Sequence, residues 1–343
     1  MMDLNIYLAN KNILFLSVKT FNLEIEIIKK LEEYGARVTY YDERPANNNF
    51  IKGIIRLKRS LIQNIIDGYY RRILTEISEI KFDFFFLNRG EIVPEFFLQE
   101  LRKKQFNCIF ILNTWDSFAN LNHPVTILRY FDRKFTFDAN DAIEHQINFR
   151  PLFYLNAFQK LNSLDKDFDI LFLGTAHSDR YRISQLVNRW ATENELLTCS
   201  YYYMHGRLVY FFKRVFDKSF GDFNFRDLSF KPLKLSDIVS LYQRSSVILD
   251  VNHPLQSGLT MRTFEAIGAK KKIITTNSNI SKYPFYNENN IFIIDRNNIH
   301  LELSFFKKTY VDIDTNLYEK LSIDGWLYNL FVDSEESFWK KCL

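Results

Sequence analysis

Arg262 and Glu265 stand three residues apart, just after the loop Gln256-Ser257-Gly258-Leu259-Thr260. On a helix that spacing places both side chains on one face of the first turns. A guanidinium is a planar fork of donors that matches phosphate oxygens, and a carboxylate suits sugar hydroxyls. The loop before them can cradle phosphate. Gly258 permits a backbone turn closed to other residues, Thr260 can cap the helix, and a helix N-terminus offers N–H groups and partial positive charge. The set fits the two ends of a nucleotide-sugar. The plainer alternative is a surface ion pair between Arg262 and Glu265.

A second candidate cradle is Gly174-Thr175-Ala176-His177-Ser178, with Arg180 or Arg182 as counter-charge. Glycine after a strand is also ordinary turn chemistry. Glu91, Asp116 and Asp138 each follow an apolar run. In open α/β sheets ligands bind beyond the carboxyl ends of strands, so each is a candidate general base. Each could equally cap a following helix; Glu91 and Asp116 are preferred over Asp138. His123, His145, His177, His205, His253 and His300 are scattered, without metal-ligand spacing. The string Asp312-Ile313-Asp314 reads as loop polarity.

The elements that must position these residues alternate strand and helix. Residues 247–251 form a β-branched and aliphatic run that Pro254 ends, since proline cannot donate to a sheet. Met261, Phe264 and Ile267 then recur at helical spacing, and 273–276 is a buried-type strand. Upstream, strands are expected at 11–18, 36–41, 81–88, 107–113 and 134–137. Helices are expected at 21–34, with Ile25, Ile28 and Leu31 inward, and at 95–104. A long basic helix over 50–74 carries Lys52, Arg56, Lys58, Arg59, Arg71 and Arg72. A solvated helix packed by its isoleucines is its simpler reading, and a face for a membrane or an anionic acceptor the other.

A second α/β half opens with a strand at 169–173 and a helix at 180–192. A strand-like stretch at 196–204 leads to an amphipathic segment, 205–215, read as core packing in preference to membrane contact. A helix at 234–244, capped by Ser236, a strand at 290–294 and a terminal helix at 335–342 complete the chain. No G-x-G-x-x-G follows the first strand, which argues against a dinucleotide cofactor.

A chain of 343 residues, 47% hydrophobic, is long enough for about two domains. The net charge of +4 is too mild to imply nucleic-acid binding. Three widely spaced cysteines, Cys108, Cys199 and Cys342, argue for a reducing compartment. The N-terminus lacks a basic leader, and no apolar run approaches the roughly 18 residues of a membrane span. The expected location is the cytoplasm, with peripheral attachment to the cytoplasmic membrane face as the variant.

With both halves in view the chain resembles the GT-B glycosyltransferases, whose two Rossmann-like domains face each other across a cleft. Gly258-Leu259-Thr260, Glu265-Ala266 and Ile273-Ile274 fall on that family's donor motif. Ser257 replaces its first glutamate, and Lys270 and Lys272 its later glycine and proline. The chain is also similar to bacterial lipopolysaccharide and capsule biosynthesis proteins in three blocks: Trp115-Asp116-Ser117, Phe149-Arg150-Pro151-Leu152-Phe153-Tyr154, and 256–266.

The resemblance implies an α/β protein with an acceptor-side domain over 1–153, a donor-side domain over 154–325, and a C-terminal helix over 326–343 packing back on the first domain. It implies metal-independent transfer, of the hexosyltransferase class, from a nucleotide-sugar to a cell-surface glycan or lipid-linked acceptor, with no bound cofactor. Gly174, Thr175, Arg180, Gln256, Gly258, Thr260, Arg262 and Glu265 would bind the donor; Glu91 and Asp116 would be the catalytic carboxylates. The alternatives are a nucleotide-sugar 2-epimerase of the same fold and a non-catalytic envelope-assembly scaffold.

Overall fold

The computed structural model describes residues 3–46, 59–159, 161, 166–176, 178–216, 220, 223–254, 256–333 and 337–343, without the side chains of 59 and 60. The chain divides into two compact units, Met1–Pro151 with Trp326–Lys341 and Leu343, and Leu152–Gly325 with Cys342.

The first unit holds β1 (Asn12–Ser17), β2 (Arg37–Asp42), β3 (Phe84–Asn88), β4 (Ile109–Thr114), β5 (Arg133–Thr136) and β6 (Asn148–Phe149). They form one parallel sheet in the order β2-β1-β3-β4-β5-β6. Residues 13–17 and 84–88 are buried without alternation, as expected of strands covered on both faces. Helices Gln63–Glu76 and Glu95–Lys104 cover one face through Ile66, Tyr70, Ile73, Phe97, Leu98 and Leu101. Phe86 stacks on Phe15 at 4.9 Å, and Trp326 and Phe331 lie against it from helix Ile323–Phe331. Each such aromatic pair adds about 0.5–1.5 kcal/mol beyond area burial. The chain starts at β1, moves out to β2 and returns to β3, so the β1/β3 boundary is the topological switch point.

The second unit holds β7 (Phe168–Thr175), β8 (Thr198–Tyr203), β9 (Leu228–Ser229), β10 (Ser245–Asp250), β11 (Lys272–Thr275) and β12 (Ile291–Ile293). This sheet is also parallel, ordered β12-β11-β10-β7-β8-β9. It is the Rossmann order, with its switch point between β7 and β10. Tyr154 explains a glycine here. A Cβ on Gly268 would lie 2.6 Å from the Tyr154 ring, so only glycine lets the helix backbone rest on it. The Tyr318 hydroxyl donates to the Gly268 carbonyl, and the Tyr154 hydroxyl to that of Tyr318.

Several local expectations change. Helix Leu23–Glu33 buries Ile27 and Leu31 and leaves Ile25 exposed. Its face is turned by buried Glu24, whose carboxylate accepts from the Thr20 N–H. Helix Leu235–Gln243 is closed by Asp237, which accepts from Lys234 N–H at 3.1 Å, and Ser236 lies inside it. Lys52, Arg56 and Lys58 of the basic segment fall outside the described residues. Within its described part, Ile62 and Ile66 are buried while Leu61 and Ile65 are exposed. Arg72 pairs with Glu76, and Arg71 lies over the Phe96 ring. The terminal helix is a 3-10 turn at Phe338–Cys342, with 334–336 outside the described residues. Core packing of 205–215 holds only through Tyr210 and Val209: helix Arg207–Phe216 turns Leu208, Phe211, Phe212, Val215 and Phe216 outward.

Candidate functional site

The switch point of the second unit gathers most of the predicted residues. β10 delivers Asp250, 1% exposed, to the carboxyl edge of the sheet. Thr260 caps helix Met261–Gly268, accepting from the Arg262 N–H at 3.2 Å and donating to both Asp250 oxygens at 2.8 and 2.9 Å. Thr263 donates to Asp250 at 2.6 Å, and the Arg262 guanidinium stands 3.6 Å from it. One buried carboxylate therefore ties the loop, the cap and the arginine together.

Arg180, the first residue of helix Arg180–Glu193, donates from Nε to the Val251 carbonyl at 2.8 Å, bridging the ends of β7 and β10. Burial, together with neighbouring Arg262 and Arg296, pulls its guanidinium down to about 10, still charged at neutral pH. Arg296 donates to both Asp179 oxygens at 2.6 and 2.7 Å and to the Asn252 carbonyl at 2.9 Å. Three guanidiniums thus share this edge with Asp250 and Asp179. The Nε of Arg262 and the Oγ of Ser257 are buried without a hydrogen-bond partner. Such orphans are rare in native interiors and call for an explanation.

The loop is held from below. Asn277 donates to the carbonyls of Ser257 and Gly258, Asn279 to that of Ser257, and Gln256 to that of Gly258. Gln256 therefore braces the loop. Leu255 lies outside the described residues. Glu265 is half-buried and accepts from the Tyr242 hydroxyl at 3.0 Å. Burial raises its carboxyl above the usual range, against the pull of Arg262 and Tyr242. Arg262 and Glu265 thus face different partners. Gly174 lies inside β7, where a Cβ would meet the Phe172 ring at 2.8 Å; it is a packing glycine, and Thr175 ends the strand. Arg182 donates to the Arg296 carbonyl at 3.0 Å, and His177 is outside the described residues. Burial, then Arg180 and Arg296, lower the basicity of His253.

The first unit builds a different cluster at the same edge of its own sheet. Beyond β3, Arg89 adopts φ 110° and Gly90 φ 76°. The first is unusual for a side-chain-bearing residue, and such strain costs about 1–3 kcal/mol and concentrates at functional sites. It aims Arg89 at Asp116, Nε to Oδ2 3.0 Å, and at Glu91, 3.6 Å. Glu91 is 4% exposed and accepts from Arg44 Nε at 2.6 Å. Both its oxygens thus lie against guanidiniums, Oε2 hydrogen-bonded to Arg44 and Oε1 3.6 Å from Arg89. Asp116 keeps a side-chain exposure of 35%. Glu43, fully buried, accepts from Ile92 and Gly90 N–H groups. Burial, then the Glu91 charge, push its carboxyl up to about 8. Asp138 caps helix Ala139–His145. Asp312 pairs with Lys270, and Asp314 caps helix Thr315–Lys320.

Sequence reasoning missed Asp250, Asp179, Arg296, Glu43 and Arg44. Asp250 and Glu43 stand at or just past a strand's carboxyl end, the signal that singled out Glu91. Arg296 meets Asp179 across 117 positions, which no local pattern announces.

No family model matches the chain, and no curated protein matches it. Solved structures do. An alpha-glucosyltransferase in complex with UDP and a 13-mer DNA containing a central A:G mismatch superposes with a TM-score of 0.56 at 12% identity, over 95% of this chain and 97% of that one. A glycosyltransferase from Rickettsia africae gives 0.49 at 13%, over 93% and 89%. The Methanocaldococcus jannaschii UDP-GlcNAc 2-epimerase, in complex with UDP-GlcNAc and UDP, gives 0.46 at 11%, over 78% and 84%. With two parallel six-stranded sheets, the fold is GT-B: α/β, with two Rossmann-like domains.

Proposed function

We propose that the protein is a glycosyltransferase that takes a sugar from a nucleotide-sugar bound at the carboxyl edge of the second unit. The observation that carries this is the convergence of Arg180, Arg262 and Arg296 at one sheet edge, with Arg262 Nε unsatisfied beside a capped helix N-terminus. A diphosphate supplies the missing acceptor. On this reading Arg180 and Arg262 hold the diphosphate, Gly174, Thr175, Gly258 and Thr260 shape its surroundings, and Gln256 keeps the loop in place. Glu265 takes the hydroxyls of the ribose or the sugar. Cationic side chains and the helix dipole would stabilise the leaving diphosphate without a metal ion. Asp116 is the proposed base on the acceptor, positioned by Arg89, with Glu91 fixing that arginine from its other side. The acceptor class is a cell-surface glycan or glycolipid of lipopolysaccharide or capsule assembly, and the transfer is hexosyl. The similarity of three sequence blocks supports that assignment.

The test is thermal stabilisation of the purified chain by a panel of UDP-, GDP-, CMP- and dTDP-sugars. One nucleotide class should raise the melting temperature. Stabilisation by none of them sinks the reading, and turnover of the donor without an acceptor would identify an epimerase.

A further inference from the structure

Helix Arg207–Phe216 follows β8 at the carboxyl edge of the second sheet, the edge that also carries Asp250 and Thr175. Leu208, Phe211, Phe212, Val215 and Phe216 are between 56% and 81% exposed, an apolar face that the described part of the fold leaves uncovered. Their spacing places them on one stripe of a helix. The opposite side is anchored. Tyr210 is buried, its hydroxyl donates to the Phe223 carbonyl, and Arg214 donates to both the Tyr210 hydroxyl and that carbonyl. The helix is thus fixed to the unit by one side while its apolar stripe faces out. Phe225 widens the stripe, stacking on Phe211 with ring centres 5.9 Å apart, and Phe230 packs against Phe225.

Charge says what such a face suits. No acidic residue occurs between Glu195 and Asp217, whereas Arg207, Lys213 and Arg214 lie within the helix. Arg207 sits over the Phe230 ring and Lys213 over Phe220, cations set beside the apolar face. An outward stripe of Leu, Phe and Val on a helix that carries three cations and no acidic residue is the pattern of a helix lying in the headgroup boundary of an anionic bilayer. A second copy of the chain would meet this face with its own cations, like charge against like. We infer that Arg207–Phe216 docks the second unit on an anionic lipid surface. The inference rests on the transferase reading for its purpose, which is to bring the donor-binding edge to an acceptor carried in the membrane.

The experiment is co-sedimentation of the full-length protein with phosphatidylcholine vesicles, with and without phosphatidylglycerol, at low and high salt and without donor. Wild type should pellet with the anionic vesicles and be partly released by salt. Phe211→Ser/Phe212→Ser should lower the partition coefficient by at least about tenfold, and Arg207→Gln/Lys213→Gln by about fivefold or more. Both variants should keep the wild-type melting temperature and nucleotide response, since the side chains changed lie on the surface helix. The inference is overturned if wild type stays in the supernatant with anionic vesicles, or if the phenylalanine variant pellets as wild type does. It is also overturned if the face instead drives concentration-dependent self-association that the variant abolishes. Vesicle binding lost in the variant while no nucleotide binds would leave the docking intact and remove the transferase reading.

Discussion

The two units gather different charge clusters at the same sheet edge. At the edge of the first, Glu43, Glu91 and Asp116 meet Arg44 and Arg89. At the edge of the second, Asp250, Asp179 and Glu265 meet Arg180, Arg262 and Arg296. Burial eases the first excess internally: it pushes Glu43 up to about 8, toward the protonated form at neutral pH. The guanidiniums have no such outlet, because they keep their protons at neutral pH. The first edge keeps one partly open carboxylate, Asp116, while the second gathers three guanidiniums beside the N-terminus of helix Met261–Gly268.

The largest expected effect tests the first half of that contrast. Asp116→Asn should lower kcat by about 100-fold or more and leave donor affinity unchanged in a calorimetric titration. Equal losses in both would mean that Asp116 only supports the fold. Arg262→Ala should weaken nucleotide-sugar binding by about 100-fold, the worth of a charge-assisted phosphate contact. Wild-type affinity in that variant would break the claim that the second edge is the anion site. Glu265→Ala, made in a Tyr242→Phe background so that no buried hydroxyl is orphaned, should cost about tenfold in donor affinity. The doubly substituted chain should still unfold cooperatively.

The smallest effect concerns stability. Glu43 holds its proton to about pH 8 in the folded chain, whereas the ordinary glutamate value is 4.5. Between those values the unfolded chain releases a proton that the folded chain keeps, so stability should fall as pH rises through this window and level off above it. Glu43→Gln should remove that part of the slope in urea unfolding measured from pH 5 to pH 8. Identical slopes would show that Glu43 is ionised when folded, leaving the first cluster with surplus negative charge.

The sheets were legible because buried parallel strands are unbroken apolar runs: 11–18 and 81–88 each contain a strand, and 107–113 covers all but the last residue of one. Helix Met261–Gly268 was legible from its threonine cap and apolar spacing. The loop after β10 was partly readable, since Gly258, Thr260, Arg262 and Glu265 are local in sequence. Its charge balance was not, because Asp179 and Arg296 approach from other segments. Glu91 showed the converse limit. Its place after a strand was visible, but its capture by Arg44 depends on a loop 47 residues upstream. Helix Arg207–Phe216 was visible as amphipathic, yet which face the fold covers is decided by Tyr210 and Phe223, a tertiary contact.

A crystal structure of the protein with a nucleotide-sugar bound decides which unit takes the donor. The diphosphate should lie within hydrogen-bond distance of Arg262 and Arg180 at the N-terminus of helix Met261–Gly268, with Glu265 on a ribose or sugar hydroxyl. A diphosphate held instead by Arg44 or Arg89 of the first unit would contradict that placement.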